Sequence, residues 1–135
     1  MSMFAKAVPD LKWRFLWLAI GYALVMLVVF LSLTSDPVEL ELAFQNQDKF
    51  FHALAYFGLM AWFAQIYHDK FQRNMIALVF IFMGVTLEYI QGFDPNRYFE
   101  YADMVANSVG VALGFVVALT GAKNILVRVE GLLKV

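Results

Sequence analysis

The chain has 135 residues, of which 62% are apolar or aromatic and only 16% charged, with net charge −1 and a mean hydropathy of +0.69. A soluble domain carries about 45–50% apolar and about 25% charged residues, so the composition excludes an ordinary soluble globule, a disordered chain and a basic nucleic-acid binder. With no Cys, disulfides, thiolate nucleophiles and Cys-ligated metals are excluded too.

A membrane helix needs about 20 mostly apolar residues, and four stretches approach that length. Residues 15–33 contain no charge. They follow a basic flank of Lys6, Lys12 and Arg14, but the run is longer than a signal-peptide core and no cleavage site follows, so an uncleaved helix is expected. Residues 38–44 mix Val, Leu and Phe with two Glu and read as a segment on the outer membrane surface. The second span, 50–67, is interrupted by His52 and Gln65. His68 and Asp69 follow it as a solvated turn. The third, 75–91, carries Glu88 near its end, and the fourth, 104–121, carries Asn107 and a glycine-rich face. A tail, 123–135, alternates apolar residues with Arg128, Glu130 and Lys134 and reads as a short interfacial helix. In lipid every backbone N–H and C=O must be paired internally, so the predicted fold is a single all-α membrane domain, 1–135, built as a four-helix transmembrane bundle.

Orientation follows the basic residues. Lys6, Lys12, Arg14, Lys70, Arg73, Lys123, Arg128 and Lys134 fall on one side, Lys49 and Arg97 on the other. Eight against two predicts both termini in the cytoplasm. Trp13, Trp17 and Tyr67 then suit the inner aromatic belt, and Tyr98, Phe99 and Tyr101 the outer one.

Ionisable groups inside a membrane cost about 2.5–3.5 kcal/mol at a helix centre on insertion scales, so their placement carries information. Asp48, Lys49 and His52 open the second span, Glu88 and Gln91 close the third, and Asp103 and Asn107 open the fourth. All lie within about two turns of the outer boundary. Helical spacing aligns Lys49, His52 and Tyr56 on one face, Gly84, Glu88 and Gln91 on another, and Asp103, Asn107, Gly110 and Gly114 on a third. The pair Gly110 and Gly114 lets a second backbone approach closely. These faces predict a polar pocket opening outward between the last three spans, with Arg97 in the loop above it.

At these positions the sequence resembles the VanZ-like family of small bacterial membrane proteins. The family pattern D-K-x-x-H-x-x-x-Y, then E-x-x-Q, an Arg, and D-x-x-x-N-x-x-G reads here as Asp48, Lys49, His52 and Tyr56; Glu88 and Gln91; Arg97; and Asp103, Asn107 and Gly110. The resemblance covers about half the chain, from Asp48 to Gly114. It implies a multi-pass protein of the bacterial cytoplasmic membrane with an envelope-related role. The family's namesake is associated with glycopeptide resistance, which nothing in these residues carries over.

Two functions follow from the polar residues. In the first, the pocket binds or acts on an anionic envelope molecule, a lipid or cell-wall precursor. Lys49, Arg97, Gln91 and Asn107 would then hold the ligand, and His52, Glu88 and Asp103 would handle protons. Asp48, Tyr56, Gly110 and Gly114 would support the site structurally. In the second, the protein is a non-enzymatic accessory whose charged cluster fixes the fold while it docks a membrane partner. No cofactor is expected. A metal on His52, Glu88 and Asp103 is disfavoured by the neighbouring basic residues.

Overall fold

The computed structural model describes residues 9–34, 47–95 and 100–134, without the side chains of Gln47 and Asp48. Among these described residues five helices follow in order: α1 (Arg14–Leu33), α2 (Gln47–Ile66), α3 (Lys70–Gln91), α4 (Tyr101–Ala118) and, after a 3₁₀ turn at Gly121–Asn124, the short α5 (Ile125–Leu132). At 1.5 Å per residue the 20 residues of α1 span about 30 Å, the thickness of a bilayer's hydrocarbon core. The fold is all-α, and α1, α3 and α4 are each long and apolar enough to cross a membrane. The expected outer segment at 38–44 and the loop residue Arg97 lie outside the described residues.

The helices overrun the apolar stretches that announce them. α3 begins at Lys70 because Asp69 accepts the Gln72 N–H at 2.9 Å and satisfies an otherwise orphaned donor of the first turn. α2 extends outward to Gln47 and α4 to Tyr101, since polar side chains leave a hydrogen-bonded backbone intact where it passes beyond the apolar run.

α2 occupies the centre. Its Tyr56, Leu59, Met60 and Phe63 form the core with Phe80 of α3 and Val111 of α4. The ring of Phe63 meets that of Phe80 edge-on at 5.6 Å. The glycine face of α4 brings it close against α2: a Cβ on Gly110 would collide with the Ala53 carbonyl, and one on Gly114 would lie 2.8 Å from the Phe57 carbonyl oxygen. α1 lies at the periphery, with Gly21 as its one buried residue, seated on Trp62 and Phe63. Its Met26 and Phe30 are exposed, as suits a surface that meets lipid.

Candidate functional site

The three expected polar faces converge at one end of the bundle, where α2 and α4 begin and α3 ends. Lys49 Nζ lies 2.7 Å from Glu100 Oε2 and 3.6 Å from Asp103 Oδ1. His52 Nδ1 donates to Asn107 Oδ1 at 2.9 Å, which turns Nε2 towards Asp103 Oδ2 at 3.9 Å, beyond hydrogen-bond range. Glu88 reaches across from α3 and accepts the backbone N–H of Glu100 through Oε1 at 2.9 Å. Glu100 is the residue that precedes α4, and Asp103 lies in the first turn. Both carboxylates therefore stand at the positive end of a helix dipole.

Most of this cluster is shut away. Glu88, Asp103 and Asn107 are buried, at 1%, 7% and 3% exposure, as is Tyr56. The more accessible members are Lys49 and Glu100, which bond to each other. Gly84 makes room for the cluster: a Cβ there would stand 3.0 Å from that of Asn107 and 3.3 Å from the Tyr56 ring. Two buried polar atoms, the Tyr56 hydroxyl and Glu88 Oε2, have no hydrogen-bond partner among the described residues.

Not every expected site residue joins. Gln91 turns the other way, donating through Nε2 to the Ser32 carbonyl at 2.8 Å and fastening the end of α3 to that of α1. Arg97 and the Asp48 side chain lie outside the described residues. Gly110 and Gly114 act one and two turns deeper, as the close-packed seam. Among the described residues no group of three His, Asp or Glu side chains is placed to hold a metal ion. Glu100 belongs to the cluster although sequence reasoning passed it over. Its signal was its place three residues before Asp103, where helix geometry puts two carboxylates on one face.

A second polar network closes the opposite end, and hydropathy did not announce it. Glu130 of α5 is buried and accepts the N–H groups of Lys12 and Trp13 at 2.7 and 2.9 Å and the Trp17 indole N–H at 2.6 Å. Burial pushes its pKa up, but these bonds and the nearby Lys12 charge together hold it below the ordinary carboxylate value. Gln65 donates to the Ala122 carbonyl at 2.7 Å and accepts from the Leu126 N–H at 3.1 Å. The expectation of a solvated turn at His68 and Asp69 is corrected here: His68 is half-buried and donates to the Lys123 carbonyl at 3.0 Å, while Asp69 caps α3. These bonds satisfy backbone groups that the ends of α1 and α5 leave open.

The chain matches no known family, no curated protein and no solved structure.

Proposed function

We propose that this is a four-span membrane protein of the VanZ-like type, with both termini cytoplasmic in a bacterial inner membrane, acting as a non-enzymatic accessory that docks a larger envelope protein. The observation that carries the non-enzymatic reading is the internal pairing of the cluster. Lys49 engages Glu100 and Asp103, His52 engages Asn107, and Glu88 engages the start of α4. The charge balance points the same way. Three carboxylates, Glu88, Glu100 and Asp103, surround one lysine and one histidine among the described residues, a poor match for an anionic ligand. Such a cluster locks the register of three helices. Leaving a buried polar group without its partner costs about 1–3 kcal/mol, so its members are sensitive to change without touching any substrate.

The reading is tested by replacing His52, Glu88 and Asp103 one at a time with Ala, then following the cellular phenotype alongside the amount and melting temperature of the protein. A structural cluster loses phenotype in proportion to folded protein. Loss of phenotype at normal protein level and stability overturns the reading and favours a ligand site. Topology is tested separately by reporter fusions after Asn46 and Val135: periplasmic signal at the first and cytoplasmic at the second is expected, and the reverse refutes it.

A further inference from the structure

At the end of the bundle opposite the carboxylate cluster, a groove of about 360 Å³ runs between α3 and α4. Ala77, Leu78 and Ile81 line one wall, Ala112 and Phe115 the other, and Asn74 stands at its end. From Asn74 to Ile81 the groove follows about 10 Å of helix, roughly a third of a bilayer's hydrocarbon thickness. Its lining is almost wholly apolar and it lies open along one side, with Leu78 exposed beside it, so it offers an extended apolar chain a lateral seat.

Next to Asn74 stands Arg73. Its guanidinium lies over the ring of the lining residue Phe115, 5.5 Å from the centroid, and so stands beside the groove. Its Nη1 makes a long 3.4 Å bond to the Ala118 carbonyl, and its buried Nε has no acceptor among the described residues. The guanidinium thus keeps its positive charge beside the groove with no carboxylate bonded to it among the described residues. The surroundings are electropositive. Lys12, Arg14, Lys70, Arg73, Lys123, Arg128 and Lys134 share this end with Asp10, Asp69 and Glu130, seven basic residues against three acidic among those described. Burial foremost lowers the His68 pKa, with smaller contributions from the charges of Lys123 and Arg73, against hydrogen bonds to the backbone of Lys123 and Gln65.

We infer that the α3–α4 groove is a binding site for one anionic phospholipid, with an acyl chain along Ala77, Ile81 and Ala112 and the phosphate held by Arg73, Lys70 lying one turn away. An apolar slot ending at a cation has the polarity of a phospholipid laid along the bilayer normal, chain inward and headgroup at the interface. A juxtamembrane cation contributes about 1 kcal/mol to anionic-lipid attraction, which is roughly a fivefold preference. The site is independent of the carboxylate cluster and stands or falls without it.

The test uses the full chain purified in detergent and native mass spectrometry, with dioleoyl-phosphatidylglycerol and dioleoyl-phosphatidylcholine titrated separately. The two lipids share their acyl chains and differ in charge. One phosphatidylglycerol per chain is expected at roughly fivefold lower concentration than phosphatidylcholine. Arg73→Gln should abolish that preference, Arg73→Lys should retain it, and Arg128→Gln, a basic residue removed elsewhere at the same end, should leave it unchanged. Ala112→Phe adds a ring at an exposed position in the groove and should weaken retention of both lipids. Glycerol 3-phosphate should not displace the bound lipid. Equal retention of the two lipids, equal losses in Arg73→Gln and Arg128→Gln, full retention in Ala112→Phe, or displacement by glycerol 3-phosphate each overturns the inference. Should Arg73→Gln fail to fold, the wild-type preference and Ala112→Phe decide it alone.

Discussion

A single carboxyl oxygen shows how the cluster is built. Glu88 Oε1 accepts the Glu100 N–H, while Oε2 is buried with no partner among the described residues. Half of the group is therefore useful to the fold and half is a liability. Glu88→Gln keeps an acceptor for that N–H and removes a buried charge, so its stability should stay within about 1 kcal/mol of wild type. Glu88→Ala orphans a backbone donor and should cost about 1–3 kcal/mol. Thermal unfolding of the two variants in one detergent separates them, and equal losses would refute the assigned role of Oε1. The glycines offer a sharper contrast. Gly110→Ala drives a methyl into the Ala53 carbonyl and should cost about 1–3 kcal/mol as α2 and α4 are pushed apart. Gly58 also lies mid-helix, but a methyl added there would have nothing within 4 Å, so Gly58→Ala should gain up to about 1 kcal/mol through helix propensity. Opposite shifts in melting temperature are the expected outcome.

At the scale of the element, the four long helices were legible because a continuous apolar run has few alternatives in lipid, and the short α5 because its apolar residues alternate with Arg128, Glu130 and Lys134. Their ends were not. Residues 70–74 are Lys, Phe, Gln, Arg and Asn, which hydropathy discards, yet the Asp69 cap starts α3 there. The carboxylate cluster was largely legible from spacing, since Lys49, His52, Glu88, Asp103 and Asn107 each occupy one face near one end of a helix. Glu100 was lost because it lies just outside the apolar run. The network at the opposite end escaped altogether: Glu130 meets its partners across 113 to 118 residues of chain, and no local periodicity reports such a contact. That network makes α5 a clasp on α1 and α2, with a pH signature of definite sign. The native pKa of Glu130 lies below the ordinary 4.5, so on acidification the unfolded chain takes up the proton first. Its contribution is therefore complete above about pH 4.5 and is lost as pH falls through the native value. Glu130→Gln should cost about 1–3 kcal/mol at pH 7, and the gap from wild type should shrink below pH 4.5. A gap independent of pH would assign the effect to packing instead of charge.

For the molecule as a whole, the most enclosed long helix is also the one too polar to qualify as a membrane span. α1, α3 and α4 pass on length and composition, whereas α2 is absent from that set despite its 20 residues. Lys49 and His52 near its start and Gln65 near its end lower its hydropathy. Each finds its partner on another element: Lys49 and His52 on α4 and the residue before it, Gln65 on the 3₁₀ turn and the first turn of α5. Polar groups in lipid are costly when unpaired, so α2 depends on its neighbours for a reason beyond packing. The order of assembly follows. If the proposed four-span bundle holds, α1, which has no such dependence, should insert as an independent helix, whereas α2 should remain in the membrane only once α4 supplies Asp103, Asn107 and the glycine seam. In a glycosylation-mapping assay of single segments, residues 14–33 should insert in nearly all chains and residues 47–66 in a minority. Fusing 47–118 as one piece should raise insertion of α2 towards that of α1, and Gly110→Leu in that piece should reverse the gain by blocking the approach at Ala53. Efficient insertion of 47–66 alone would show that its hydropathy suffices without the polar partners, and the cluster would then be a consequence of the bundle and not a condition for it.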